Sequence, residues 1–404
     1  MKKLLLMFAA VGMLFTACNK DCGHEFIEHD HSEDIVGTWT YLNEEGQAEA
    51  MVINPDGSFA ITGIMNGGYL YEEKGTIKVV NNKVTLAYNS GDVFESRLEL
   101  VVGKSMSIVF NKEYDVCLTY DYCANDLSDE IIGMWVCNDG VAGMAIQTYQ
   151  EDGKCFYTGF SLGENDYLTT FESTYGVFGD MLFQKTGDRY FATRLTYIPG
   201  GNSLGDILSS TSTILVNDEY VTSSYSFLRV KQDLNLNNGK TYDYSSAYVT
   251  NVKGKDEDFS IVGNTFNMAN IKAGNFDVMF RSVLYCVEFG ANSIKQNFLV
   301  NGVHADFDTP ITVEGNKVTL DMSKEHPALR KVEMYIFQDA DDSQLHIFMP
   351  TKSFINYFAN LKFVTLLTEG KIDPTNTAAV EKIYTDMEAR IESINVSFVL
   401  KVRK

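Results

Sequence analysis

Three groups of residues in this chain of 404 have side chains of the kind that chemistry needs. Gly201-Asn-Ser203-Leu-Gly205 has the Gly-x-Ser-x-Gly spacing of a nucleophile elbow, in which a serine hydroxyl on a sharp strand-to-helix turn attacks an acyl carbon. That chemistry also needs a histidine and an acid at the hydroxyl, yet no long helix follows and the nearest downstream histidine is His304. Glu72-Glu73, Asp256-Glu257-Asp258 and Asp339 to Asp342 carry charge enough for calcium or for acid–base work on a glycosidic bond. Neighbours on a strand point to opposite faces, so these runs fit solvated turns better than a site. His24, His29 and His31, half of the six histidines, lie in an acidic stretch that fixes none of their geometry for a metal. The expectation is no catalytic residue, no metal and no cofactor, with a hydrolase as the most distant alternative.

Cys18 is the one reactive side chain with a directive context. Met1-Lys2-Lys3, the apolar run Leu4 to Phe15 and Thr16-Ala17 form the charged, greasy and small-residue regions of a secretory signal over 1–17, too short to span a bilayer. The small residues before Cys18 resemble the lipobox of bacterial lipoproteins, with Phe15 where a leucine is usual. The resemblance implies that Cys18 is lipidated and that the membrane is a partner through it. The protein would then sit lipid-anchored in the cell envelope, at the outer membrane, on either its periplasmic or its outer face. Residues 18–33 read as an acidic tether, and Lys20-Asp21 resembles the acidic export signals of Bacteroidetes lipoproteins. A net charge of -21, without a sustained basic run, excludes nucleic acid as a partner because phosphates need the opposite field.

The elements that position these residues are strands. With 26 Phe, 22 Tyr and only 6 Pro, the composition suits pleated surfaces. Ser32-Glu-Asp-Ile35-Val-Gly37-Thr-Trp39 returns as Ser128-Asp-Glu-Ile131-Ile-Gly133-Met-Trp135, and these hold both tryptophans. Spacing this long marks a repeated domain. In copy one, 34–124, eight strand-like stretches are separated by turn signals such as Pro55-Asp-Gly57 and Asn81-Asn82. Eight strands close into a barrel with room only for side chains or one small ligand. Copy two, 127–231, repeats the order, with extra residues near Pro199 to Gly205 assigned to a loop.

Residues 232–258, rich in Asn, Ser, Gly and Lys, read as a linker with room for one irregular strand. A third copy, 259–404, opens with Ile261-Val-Gly263-Asn-Thr-Phe266, where Phe266 takes the place of the tryptophan. Between its seventh and last strands the spacing predicts a helical hairpin over 351–394. Thr351 caps a first helix with apolar positions Phe354, Tyr357, Phe358, Leu361, Val364 and Leu367. Asp373-Pro374 opens a second, carrying Val380, Ile383, Tyr384, Met387, Ile391 and Ile394. The fold class is mainly all-β, three tandem barrels or meanders, the last with inserted helices.

Gly37-x-Trp39 and Gly133-x-Trp135 on first strands resemble the Gly-x-Trp signature of lipocalins. The resemblance implies that Trp39 and Trp135 close the barrel floors beneath a basic side chain, which Arg229 supplies in copy two and no arginine supplies in copy one. With the lipobox, the chain resembles lipoproteins of gut Bacteroidetes that carry lipocalin-like domains. It is expected to be a non-enzymatic binding or scaffolding module with a protein or small-ligand partner; the alternative is a carrier of a small apolar ligand in one barrel. Phe354, Tyr357, Phe358 and Leu361 are expected to shape a partner or ligand groove beside the third barrel, unless the hairpin merely plugs it.

Overall fold

A computed structural model describes residues 32–65, 68–111, 116–139, 143–160, 168–200, 206–216, 219–231, 233–261, 264–300, 302–324 and 326–404. Cys18, the three tether histidines and the motif Gly201 to Gly205 lie outside the described residues.

Three closed antiparallel barrels of eight strands follow one another along the chain. The first comprises β1 (Gly37–Leu42), β2 (Ala48–Ile53), β3 (Ser58–Met65), β4 (Tyr69–Val80), β5 (Lys83–Tyr88), β6 (Val93–Val101), β7 (Ser105–Asn111) and β8 (Val116–Cys123). The second comprises β9 (Gly133–Asp139), β10 (Gly143–Tyr149), β11 (Lys154–Phe160), β12 (Leu168–Phe178), β13 (Met181–Thr186), β14 (Arg189–Ile198), β15 (Ile207–Val216) and β16 (Glu219–Val230). Their turns repeat as well as their strands. Asp56 Oδ1 accepts from the Ser58 amide at 2.9 Å and Asp152 Oδ1 from the Lys154 amide at 3.1 Å, each followed by a glycine with positive φ.

The repeated motif is explained at the floor of each barrel. Trp39 Nε1 donates to the Ile35 carbonyl and Trp135 Nε1 to the Ile131 carbonyl, both at 2.7 Å. Both indoles are fully buried. To bring an indole back onto a carbonyl four residues earlier, the chain turns at Gly37 (φ 135°) and Gly133 (φ 130°), a region closed to side chains with a Cβ. Arg229 lies over the Trp135 ring at 4.6 Å. In the first barrel Tyr122 stands edge-on to Trp39 instead, with centroids 5.0 Å apart.

The third barrel corrects the sequence reading. It comprises β17 (Thr241–Gly254), β20 (Leu284–Phe289), β21 (Ser293–Val300), β22 (Val303–Glu314), β23 (Lys317–Leu320), β24 (Val332–Gln338), β25 (Gln344–Met349) and β26 (Ile391–Val402). Most of the expected linker 232–258 is therefore the first wall strand. Register shifts between Tyr244 and Ser246 and between Thr250 and Lys253 interrupt its pairing with β26, and each extra residue inverts the alternation that would have marked it as a strand. Phe266 does not replace the tryptophan. It belongs to a separate two-stranded sheet, β18 (Asp258–Ile261) with β19 (Asn264–Asn267), and the buried aromatic of the barrel's first strand is Tyr242.

Four helices fill the end of this barrel: α1 (Met268–Lys272), α2 (Phe276–Arg281), α3 (Thr351–Thr368) and α4 (Thr377–Glu388). The last two are the expected hairpin with altered ends. Pro350 occupies the cap position, and Thr351 Oγ1 instead exchanges hydrogen bonds with the backbone of Ile394, both at 2.9 Å. Asp373 spends its carboxylate on a turn with Thr375, so the second helix waits for Asn376, whose side chain accepts from the Ala379 amide at 3.0 Å. Ile391 and Ile394 belong to β26, not to the helix.

Neighbouring barrels pack through apolar patches on their outer walls. Ala48, Ala50 and Ile64 of the first meet Met181, Phe183 and Ala192 of the second. Val136, Ile146 and Val230 of the second meet Phe337 and Phe348 of the third.

Candidate functional site

The expected groove residues do not form a surface. Phe354, Tyr357, Phe358 and Leu361 are all at most 3% exposed. The rings of Phe354 and Phe358 lie 4.3 Å apart, tilted to one another, and pack on Phe276 and Phe280 of α2, while Tyr357 accepts a hydrogen bond from Gln296 Nε2 at 2.6 Å across the lumen. The cavity left between Phe280, Gln296, Met334, Tyr357 and Phe398 is about 20 Å³, the space of one water. The hairpin is a plug, because an eight-stranded barrel with an aromatic helix laid into its end has no other place for rings of this size.

The unplugged barrels differ. In the second, strands β12, β14, β15 and β16 run to 10–12 residues and raise a wall above the Trp135 floor. Pairing registers turn Tyr157, Phe171, Phe191 and Tyr225 toward the lumen. Despite facing inward, Phe171 is 55% exposed, and Tyr157 and Phe191 are exposed too. Lumen-facing Ser210, Ser212 and Ser223 add hydroxyls opposite them, and Gln184 Nε2 donates to Ser173 Oγ at 2.8 Å deeper down. The registers place Arg189 and Glu219 on the inward face at the strand ends around the rim, and between them and the floor no charged side chain faces this lumen among the described residues. The result is an open cup with aromatic walls, a few hydroxyl and amide groups, and a floor held by Arg229, whose guanidinium pairs with Asp206 at 3.1 Å and bonds the carbonyls of Ile132 and Glu130.

The mouth of the first barrel is acidic. Glu49 faces the lumen with both carboxylate oxygens engaged, one by the Tyr71 hydroxyl and the other by that of Tyr120. Burial raises its carboxyl above the ordinary 4.5, against the lowering pull of the two phenols. A polar cleft of about 300 Å³ also lies on the outer wall of the third barrel, lined by Cys286, Lys295, His304, Asp306 and Arg403. Its charges answer one another, Lys295 with Asp306 at 2.9 Å and Arg403 with Asp243 at 2.7 Å. Burial pushes the Cys286 thiol up, which disfavours a nucleophilic thiolate there.

Neither the cup nor Glu49 was singled out from the sequence. Glu49 had a readable signal, because period-2 alternation sets it on the same face as Met51 and Ile53 of β2. The cup had none, since an inward aromatic that packs and one that lines an opening have the same spacing.

No protein-family model and no curated protein matches the chain. Among solved structures it is similar to a double mutant of transferrin binding protein B, a vaccine antigen from Haemophilus parasuis Hp5. The identity is 10% and the TM-score 0.23, over 89% of this chain and 66% of that one, so the chain spans less than two thirds of that protein's length. It is also similar to a porin-like protein from Bacteroides uniformis ATCC 8492, with 10% identity and a TM-score of 0.14, over 47% of this chain and 94% of that one. Likeness at this level carries no argument about function.

Proposed function

We propose that this chain is a non-enzymatic binding module of the cell envelope, anchored at the outer membrane through lipidated Cys18, and that its second barrel takes up a small uncharged ligand with an apolar body. The observation that supports the reading is the solvent exposure of Phe171, Tyr157 and Phe191 inside a closed barrel. Aromatic rings held open to water in a concave wall gain by covering, and the nearby hydroxyls can orient what covers them. Among the described residues no helix is long and apolar enough to cross a membrane.

N-phenyl-1-naphthylamine, an uncharged apolar fluorophore, tests the cup. It should bind the intact chain once, and Phe171→Ala combined with Phe191→Ala should weaken binding about tenfold or more. Unchanged fluorescence titrations in the double variant would remove the cup from the reading. For the anchor, Cys18→Ala should shift the protein from the membrane to the soluble fraction and abolish fatty-acid labelling; co-sedimentation unaltered by the substitution would remove the anchor.

A further inference from the structure

The first barrel holds carboxyl groups in its lumen with no cationic side chain beside them. Its lumen holds two carboxylates: Glu49 lies opposite Tyr41 and Gly63, and Glu73 lies opposite Ile61. Among the described residues no lysine, arginine or histidine faces this lumen. Around them the lining is rich in aromatic rings. The ring of Tyr71 lies over Gly63, where a Cβ would come within 2.4 Å of its Cζ, so the absent side chain is what lets Tyr71 reach Glu49. Tyr88 stands edge-on between Phe59 and Phe94, at 5.3 and 5.6 Å. Tyr41, Glu49, Tyr71, Glu73, Tyr88 and Phe94 all retain contact with solvent, while Trp39, Met51, Leu86 and Met106 beneath them are closed off.

The phenols of Tyr71 and Tyr120 satisfy the oxygens of Glu49 as hydrogen-bond acceptors, but they bring no positive charge to it. Aromatic faces attract positive charge through their ring quadrupoles, more strongly as water is excluded. A divalent metal fits poorly, because it needs several oxygen ligands and both oxygens of Glu49 are already taken by phenols. An ammonium group asks for less, one nearby negative charge and a lining of ring faces. We propose that the mouth of the first barrel is a binding site for a small organic cation, an alkylammonium held against Glu49 within the rings of Tyr41, Tyr71 and Tyr88, with Glu73 drawing it in. This site is separate from the cup of the second barrel and does not depend on it.

Choline chloride and its uncharged isostere 3,3-dimethylbutan-1-ol are the probes, titrated calorimetrically into the full chain and followed by saturation-transfer NMR. Choline should bind once and at least about tenfold tighter than the isostere. Glu49→Gln should collapse that ratio toward unity, and Tyr88→Leu should weaken choline more than the isostere. Because a folding defect would weaken both probes alike, the ratio within each variant is the readout. Equal affinities for the two probes in the unaltered protein, a preference that survives Glu49→Gln, or no choline binding up to about 50 mM would each overturn the proposal. Failure here leaves the fluorophore titration of the second barrel standing, and the reverse holds as well.

Discussion

Gly37 and Gly133 make the same backbone turn, but a methyl group added to each would meet different neighbours. At Gly133 the nearest atom is Arg229 Nη1 at 3.7 Å, the end of a long side chain, whereas at Gly37 it is the Tyr122 ring at 2.8 Å. Gly133→Ala should therefore cost only its backbone strain, about 1–3 kcal/mol. Gly37→Ala should cost more, because Tyr122 cannot yield without leaving Trp39. Amide hydrogen exchange in β1 and β9 measures the two losses separately. Glu49 gives a prediction with a sign in pH. Its folded carboxyl titrates above the ordinary 4.5, so its contribution to stability is fully present below that value and is lost as pH rises through the folded value. Compared with Glu49→Gln, the unaltered first barrel should thus gain stability as pH falls from neutral through the folded carboxyl's titration toward 4.5. Exchange protection of β1 to β3 in both proteins, measured across that range, checks it.

At the scale of elements, the helical hairpin is core. Phe358 is fully buried and touches Phe266, Phe280, Phe354 and Tyr357, so Phe358→Ala should cost about 3–5 kcal/mol through the cavity it leaves. Thermal unfolding should show the loss in the third barrel's transition alone, with the other two unmoved. Much of this level was legible in the sequence. Turn residues such as Asp56-Gly57 and Asn81-Asn82 announce the meander, and helical spacing announces α3 and α4, because each depends on a few neighbouring residues. What failed depends on residues far apart. The strand β17 is hidden because its bulges are imposed by β26, and its polar residues resemble those of a loop. The position of Phe354 and Phe358 was ambiguous for a similar reason: an apolar stripe looks alike whether it meets a partner or fills its own barrel.

At the scale of the molecule, the first two barrels stand side by side with their floors at one end and their mouths at the other. Near the floors Thr40 Oγ1 donates to Asp180 and Arg194 Nη1 to Asp121, both at 2.8 Å. Near the mouths the Tyr190 amide donates to the Gly68 carbonyl at 2.9 Å, and Gly46 lies so close to Thr213 that a Cβ would be 2.6 Å from its carbonyl oxygen. Between these contacts Ala192 is buried against the first barrel's wall. Ala192→Glu places an unpaired charge there, a penalty of several kcal/mol borne by the interface. The barrels should stay folded but part, so the radius of gyration from X-ray scattering should rise and the connection at 124–127 should become open to proteases.

The pairs that close the three barrels are unequally distant along the chain. Thr38 meets Cys123 and Met134 meets Val230, but Tyr242 waits for Val402, and Arg403 reaches Asp243 across 160 residues. The cost of joining chain ends grows with the loop between them, and non-local pairing slows folding. As the chain is made from its N-terminus, the first two barrels can finish early. The third cannot seal until the last 12-residue strand follows the plug out, and until then the phenylalanines of α2 and α3 have no completed wall around them. The hazard of aggregation during synthesis therefore falls on the third barrel, in the interval between the emergence of β17 and the arrival of β26.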